Sequence, residues 1–259
     1  MSVGRIVVIA TNVFREVVRD RILYLVGLFA VALLAIAPLL PPISGGTEDK
    51  ILLDVGLAGV GLVGLVIAVF LGTGLINKEI EKRTVYVLIA KPVSRIEFIV
   101  GKHLGLSAVL ALMIAIMTLI LLIVLQLYQV PFPFNSLILA ASFQFLELSL
   151  ITAVAILFGV FSSSLLATLL TVGVYLMGTL SRDLLNFGKL SESAGLQRLT
   201  EILYLVLPDL SRLNLRNEAV YGAALLPEPL QLAANVLYAL VYIWLLLAIA
   251  TVIFSKRQF

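Results

Sequence analysis

Apolar residues are gathered into six long runs, at 22–40, 51–76, 104–127, 137–161, 165–180 and 232–254. A bilayer core about 30 Å thick takes roughly 20 apolar residues in a helix, and lipid offers nothing to unsatisfied backbone groups, so such runs have to be helices. The fifth run is the shortest. It is set off from the fourth only by Ser162, Ser163 and Ser164, which read as a tight turn. Two stretches outside the runs have a different periodicity. Ile6, Ile9, Ala10, Val13, Phe14 and Val17 recur at helical spacing with Arg5, Asn12, Arg15, Glu16 and Arg19 opposite. That pattern predicts an amphipathic helix over 1–21 lying in the headgroup layer with its arginines toward anionic lipid. In the connection 182–231, Leu196, Leu199, Ile202, Leu203, Val206 and Leu207 form an apolar stripe opposite Arg198 and Glu201, ending at Pro208. A connection of this length without structure is unusual, so short helices resting on or dipping into the outer leaflet are expected there.

Composition supports this picture. Of 259 residues, 61% are hydrophobic and 13% charged, and there is no cysteine. Ordinary soluble domains carry about 25% charged residues. The balance argues against a soluble or disordered chain, a disulfide scaffold, a zinc finger and a nucleic-acid binder. The expected fold is all-α: a polytopic membrane protein with six transmembrane helices and an N-terminal interfacial helix, forming a single transmembrane domain over 1–259. Charge then gives orientation. The N-terminal segment, the connection 77–103 and the C-terminal tail hold twelve Lys and Arg, against six in the other connections. The positive-inside rule places both termini in the cytoplasm. Ala35-Ile36-Ala37 imitates a signal-peptide cleavage site, but the region before it is long and Pro38 follows directly, so no cleavage is expected.

The connection 77–103 carries the most information. Val85, Leu88 and Ile89 form one apolar edge, enough for about two helical turns. Lys91 precedes Pro92, which disfavours helical geometry and marks a break. Ser94 is placed to cap a new helix at Arg95, with Glu97 three residues later completing a capping box. The pattern Glu79-x-Glu81-x-x-Thr84, then Pro92-Val93-Ser94-Arg95 and Gly101-Lys102, resembles the cytoplasmic segment of ABC transporter permeases of the type-2 exporter class, most of all the branch with copper-enzyme maturation exporters. The family usually has glycine where this chain has Arg83. The resemblance covers the layout of the whole chain and about twenty-five residues of motif.

The resemblance implies a membrane subunit of an ATP-driven exporter in a bacterial-type cytoplasmic membrane. It would pair with a second permease, as homodimer or heterodimer, and dock on a separate cytoplasmic ABC ATPase. ATP and Mg would be bound by that ATPase, and this chain would bind no cofactor. Residues 84–95 would correspond to the coupling helix, Glu79, Glu81 and Arg95 to ionic contacts, and Pro92 to a rigid elbow. Arg83, Thr84, Val93, Ser94, Gly101 and Lys102 complete the implied coupling set. The bland alternative is a charged loop that only satisfies topology.

Other motifs weigh less. Gly101-Lys102 is followed by His103, and Ile96 stands where a P-loop needs its first glycine, so ATP hydrolysis falls to a partner. Gly59-Val60-Gly61-Leu62-Val63-Gly64 has the letters of a dinucleotide fingerprint inside an apolar run, where glycines more naturally allow close helix approach. Gly64, Ala68 and Gly72 stack at one face, as do Gly159, Ser163, Ala167 and Thr171. Glu147 is a mid-run charge with Gln144 one turn before it. An intramembrane carboxylate is costly unless paired, solvated or protonated. It either lines a substrate cavity or dimer interface, or is a neutral packing group. Asp54 reads as interfacial, His103 has no companion ligands for a metal or catalytic site, and Trp244, Tyr238 and Tyr242 read as packing or interface residues. A secondary transporter, lacking here the expected internal repeats, and a non-transporting assembly subunit are the alternatives.

Overall fold

Every apolar run is helical in the computed structural model. The structure describes residues 2–19, 22–41, 45–81, 94–191, 193–222 and 225–256, with the side chains at 76 and 78–81 outside that description. In chain order the helices are α1 (Val3–Arg19), α2 (Leu23–Ile36), α3 (Glu48–Glu81), α4 (Arg95–Leu127), α5 (Phe134–Phe161), α6 (Ser164–Thr179), α7 (Ser181–Leu190), α8 (Ala194–Val206), α9 (Arg216–Tyr221) and α10 (Pro229–Lys256). Short 3-10 turns lie at Ala37–Leu39 and Leu210–Arg212, and no strand occurs among the described residues. The protein is an all-α polytopic membrane protein.

Four helices, α3, α4, α5 and α10, are individually long and apolar enough to cross a membrane. The first and fifth expected spans are shorter. The 14 residues of α2 and 16 of α6 reach about 21 and 24 Å at a rise of 1.5 Å per residue. Each lies beside a bent neighbour, α1 or α7, and α7 leaves α6 at 62°. Counting each bent pair as one broken span gives six, so among the described residues the six runs become four to six candidate crossings. Hydropathy reports composition, whereas crossing also requires uninterrupted helix length.

The bundle is built around α5. Inside the molecule 72% of its most apolar window is buried, against 50% for α4, 44% for α3 and 22% for α10. Leu137, Leu150, Ile151, Ala153 and Ile156 lie in the core, and α5 packs on α3, α4, α6, α9 and α10. A helix apolar on all sides is what a central position demands. Its close approach to α3 depends on glycine. A Cβ on Gly64 would stand 2.3 Å from the Leu148 side chain, and one on Gly72 would stand 2.6 Å from Ala155 Cβ. Gly64 of the fingerprint-like run and Gly72 two turns on thus form a packing seam against α5.

Buried polar side chains bond between helices, as the apolar surroundings require. His103 Nε2–H on α4 donates to the Ser149 carbonyl on α5 (3.1 Å), beside a Ser107–Ser149 hydroxyl pair at 2.9 Å. Thr73 and Thr168 hydroxyls join α3 to α6 at 3.1 Å. Of the three serines expected as a turn between α5 and α6, Ser162 and Ser163 form it and Ser164 begins α6. The described part of the connection 182–231 contains the short helices α7, α8 and α9, and α8 stops at Val206, just before Pro208.

Candidate functional site

Two ends of the bundle bring polar groups together. At the first, α4 starts with the anticipated capping box. Ser94 Oγ accepts from the Glu97 backbone N–H (3.3 Å), and Glu97 Oε2 accepts from the Ser94 N–H (3.0 Å). The same carboxylate also holds the start of the chain. Glu97 Oε1 accepts from the Ser2 backbone N–H at 2.7 Å, and Arg5 lies 3.7 Å from Oε2. Arg95 reaches across to α10, where its guanidinium donates to the Phe254 carbonyl (3.4 Å) and to the Ser255 carbonyl. Those carbonyls lie in the last described turn of α10. Phe98 stacks on Phe254 with ring centroids 5.6 Å apart. The beginnings of α1 and α4 and the end of α10 therefore meet at one end of the molecule.

Gly101 and Gly105 then seat α1 along α4. A Cβ on Gly101 would lie 2.8 Å from Ile9 Cβ, and one on Gly105 would lie 2.7 Å from the Ala10 carbonyl and Val13 Cβ. Ile6, Val13 and Val17 are the buried edge of α1, while Arg5, Arg15 and Arg19 are on its exposed side. Lys102 is also buried, with its ammonium 5.5 Å from the Phe98 ring centroid.

Of the coupling residues expected from sequence, Ser94, Arg95, Gly101 and Lys102 sit in this junction. Glu79 and Glu81 belong to the last turn of α3, and nothing is described of their side chains. Arg83, Thr84, Pro92 and Val93 lie outside the described residues. Sequence reasoning recognised Glu97 as a cap but not as the anchor of the N-terminus, since its partners Ser2 and Arg5 are ninety and more residues away.

At the opposite end a cavity of about 650 Å³ opens between α3, α5 and α6. Glu147 and Gln144, expected from sequence as an intramembrane polar pair, both line it. Glu147 is 6% exposed and makes no hydrogen bond or ion pair with any described residue. Gln144 Nε2–H donates to the Leu57 carbonyl at 3.3 Å. At the mouth, Arg216 makes a two-pronged pair with Asp54 across 162 residues, with Nε to Oδ1 at 2.7 Å and an Nη to Oδ2 at 3.1 Å. Asp54, expected as an interfacial carboxylate, is thus the partner that fixes α9 over α3. No local signal announces this pair.

A second group missed by sequence is Asp209. It is buried, yet it accepts from the Ser181 hydroxyl (2.9 Å), the Ser211 hydroxyl, Arg182 Nε (3.3 Å) and Arg212 Nε (3.0 Å). Its own backbone N–H donates to the Tyr238 hydroxyl at 2.8 Å. Burial alone raises a carboxyl pKa. Here the hydroxyl and guanidinium donors outweigh burial and hold the Asp209 carboxyl below its ordinary value. This node ties α7 and the Leu210–Arg212 turn to α10. Tyr242 adds a bond from its hydroxyl to the Val206 carbonyl (2.9 Å), whereas Trp244 is exposed. The available signal was an aspartate three residues before an arginine in an otherwise apolar stretch.

Comparison with known proteins completes the description. Residues 7–259 match the family model described as ABC-2 family transporter protein. No curated protein matches the chain.

Proposed function

Because the chain belongs to the ABC-2 transporter family of membrane subunits, we propose that it is the permease of an ATP-driven exporter and docks through 77–103 on a separate cytoplasmic ATPase. It is a multi-pass membrane protein and an ABC transporter permease by family, and membrane subunits of this family are generally non-catalytic. In the proposed assembly ATP and Mg bind to the ATPase, and a second permease subunit completes the pathway. Both termini and the docking stretch face the cytoplasm of a bacterial-type cell, with α1 against the lipid headgroups.

The observation that carries the reading is the anchoring of both ends of 82–93. On one side, the 34 residues of α3 extend about 51 Å, some 20 Å beyond the hydrocarbon thickness. On the other, α4 begins at a capped turn bound to α1 through Glu97 and to α10 through Arg95. A displacement of this stretch is therefore passed to four helices at once, as a rigid-body transmission requires. The buried setting of Gly101 and Lys102 supports a role in holding α4 to α1 rather than in touching the ATPase. The family match favours this reading over a secondary transporter or a non-transporting assembly subunit.

Copurification tests it. A cytoplasmic ATPase should come through purification with the tagged chain, and Glu79→Lys with Glu81→Lys should abolish its retention without changing the yield of folded permease. Retention unaffected by charge reversal, or no nucleotide-binding subunit at all, overturns the docking role.

A further inference from the structure

We propose that the cavity between α3, α5 and α6 binds an apolar body bearing a single ammonium group, which pairs with the carboxylate of Glu147. The inference rests on the permease reading and names the ligand class of that permease.

The first argument is charge. Glu147 is more than nine-tenths buried, faces the cavity, and has no hydrogen-bonding or ionic partner among the described residues. A carboxylate in such a place costs several kcal/mol unless a cation or donors meet it. Arg216 is the cation lining this cavity, and both prongs of its guanidinium are engaged by Asp54 at the mouth. Gln144 spends an amide N–H on the Leu57 carbonyl, which leaves its oxygen as an acceptor. Tyr175, on the wall and within electrostatic reach of Glu147, offers an aromatic face suited to a cation. Around Glu147 the cavity offers a ligand a carboxylate, the Gln144 oxygen and a π-face, while the neutral Asn214 amide and Tyr175 hydroxyl also line it, so the charge left to be met is negative and the ligand has to bring the positive group.

The second argument is shape. About 650 Å³ falls in the range of sites that enclose a drug-sized molecule. Leu57, Leu62, Leu65, Val172 and Leu176 supply most of the wall. Such a wall cannot replace the hydration shell of an inorganic ion, which needs several oxygens, and no cluster of three metal-ligating side chains occurs among the described residues. It does accommodate a hydrocarbon cage or chain. One carboxylate in an apolar chamber selects one positive group on an apolar body.

The test uses the full chain in lipid nanodiscs, titrated calorimetrically with three molecules of one shape: adamantylamine, adamantanol and adamantane carboxylate. Saturable binding of the amine and exclusion of the carboxylate are expected. Glu147→Gln should weaken the amine by roughly 30-fold, the scale of losing one buried charge partner, and leave the alcohol unchanged. Ala58→Phe, which fills the cavity, should remove the binding of both amine and alcohol. Circular-dichroism melting checks that each variant is folded. Should Glu147→Gln fail to fold, the amine-to-carboxylate ratio in the unmodified chain, together with Ala58→Phe, decides the matter. Equal binding of amine and carboxylate, an unchanged amine affinity in Glu147→Gln, or no saturable binding at all overturns the assignment. ATPase copurification is read separately. A negative titration with a retained ATPase removes only the ligand class, and amine binding without any ATPase leaves a binding site but no permease reading.

Discussion

Single carboxylates hold this fold together, and each has a distinct set of partners. Asp209 is buried beneath four donors, and its depressed pKa fixes the sign of a pH effect. A carboxyl held lower in the folded than in the unfolded state contributes its full stability above the unfolded value, near 3.9 for Asp. That contribution is lost as pH falls through the folded value. The acid side of a thermal-melting profile in detergent should therefore be shallower in Asp209→Asn than in the unmodified chain. At neutral pH the substitution should cost about 2 kcal/mol, because Arg182 and Arg212 are partly exposed and recover some hydration. Glu97 acts differently, since one carboxylate both caps α4 and retains the start of α1. Glu97→Ala should speed hydrogen exchange of the first turns of α1 and α4 while leaving α5 protected, and unchanged exchange in α1 would refute the anchoring role. Sequence located the cap because capping is local. It did not locate Asp209 or Asp54 as hubs, because Tyr238 and Arg216 reach them only through the folded chain.

Among the elements, helix contacts divide into those that require glycine and those that do not. Gly105 lies against the Ala10 carbonyl and Val13 Cβ, with no room for a side chain, so Gly105→Val should push α1 off α4 at a cost of about 1–3 kcal/mol. A protease added to nanodisc-embedded protein should then cut α1 earlier. Gly173 in α6 has nothing within 4 Å of its would-be Cβ. Gly173→Ala should be neutral or stabilise by up to about 1 kcal/mol, the helix-propensity difference. Equal destabilisation by both substitutions would show that the contact geometry at Gly105 has no special weight. The sequence marked α1 as amphipathic, and its apolar edge is indeed Ile6, Val13 and Val17. That the edge is seated on Gly101 and Gly105 was not legible, since a Gly-x-x-x-Gly spacing shows a smooth face without saying what covers it.

For the molecule as a whole, the described parts of the three segments richest in positive charge, the start of α1, the start of α4 and the last described turn of α10, meet at one end, linked by Glu97 and Arg95. The chain has no cysteine, so a single introduced thiol gives a clean report of sidedness. A membrane-impermeant maleimide applied outside intact cells should label Lys50→Cys and spare Ala90→Cys, and the reverse pattern would overturn the proposed orientation. Ser94 is unsuitable for the label because its hydroxyl caps α4.

The sequence by itself determined that the chain is helical and lies in lipid, where its apolar runs are centred, and which stretch resembles the family's coupling segment. Those properties follow from composition and short-range periodicity, which act within a few turns of one helix. The tertiary structure alone decided that α5 is the core and that Glu147 lines a cavity with the Asp54–Arg216 pair at its mouth. A cavity is a property of how separate helices fail to meet, and an ion pair spanning 162 residues forms only after they have packed.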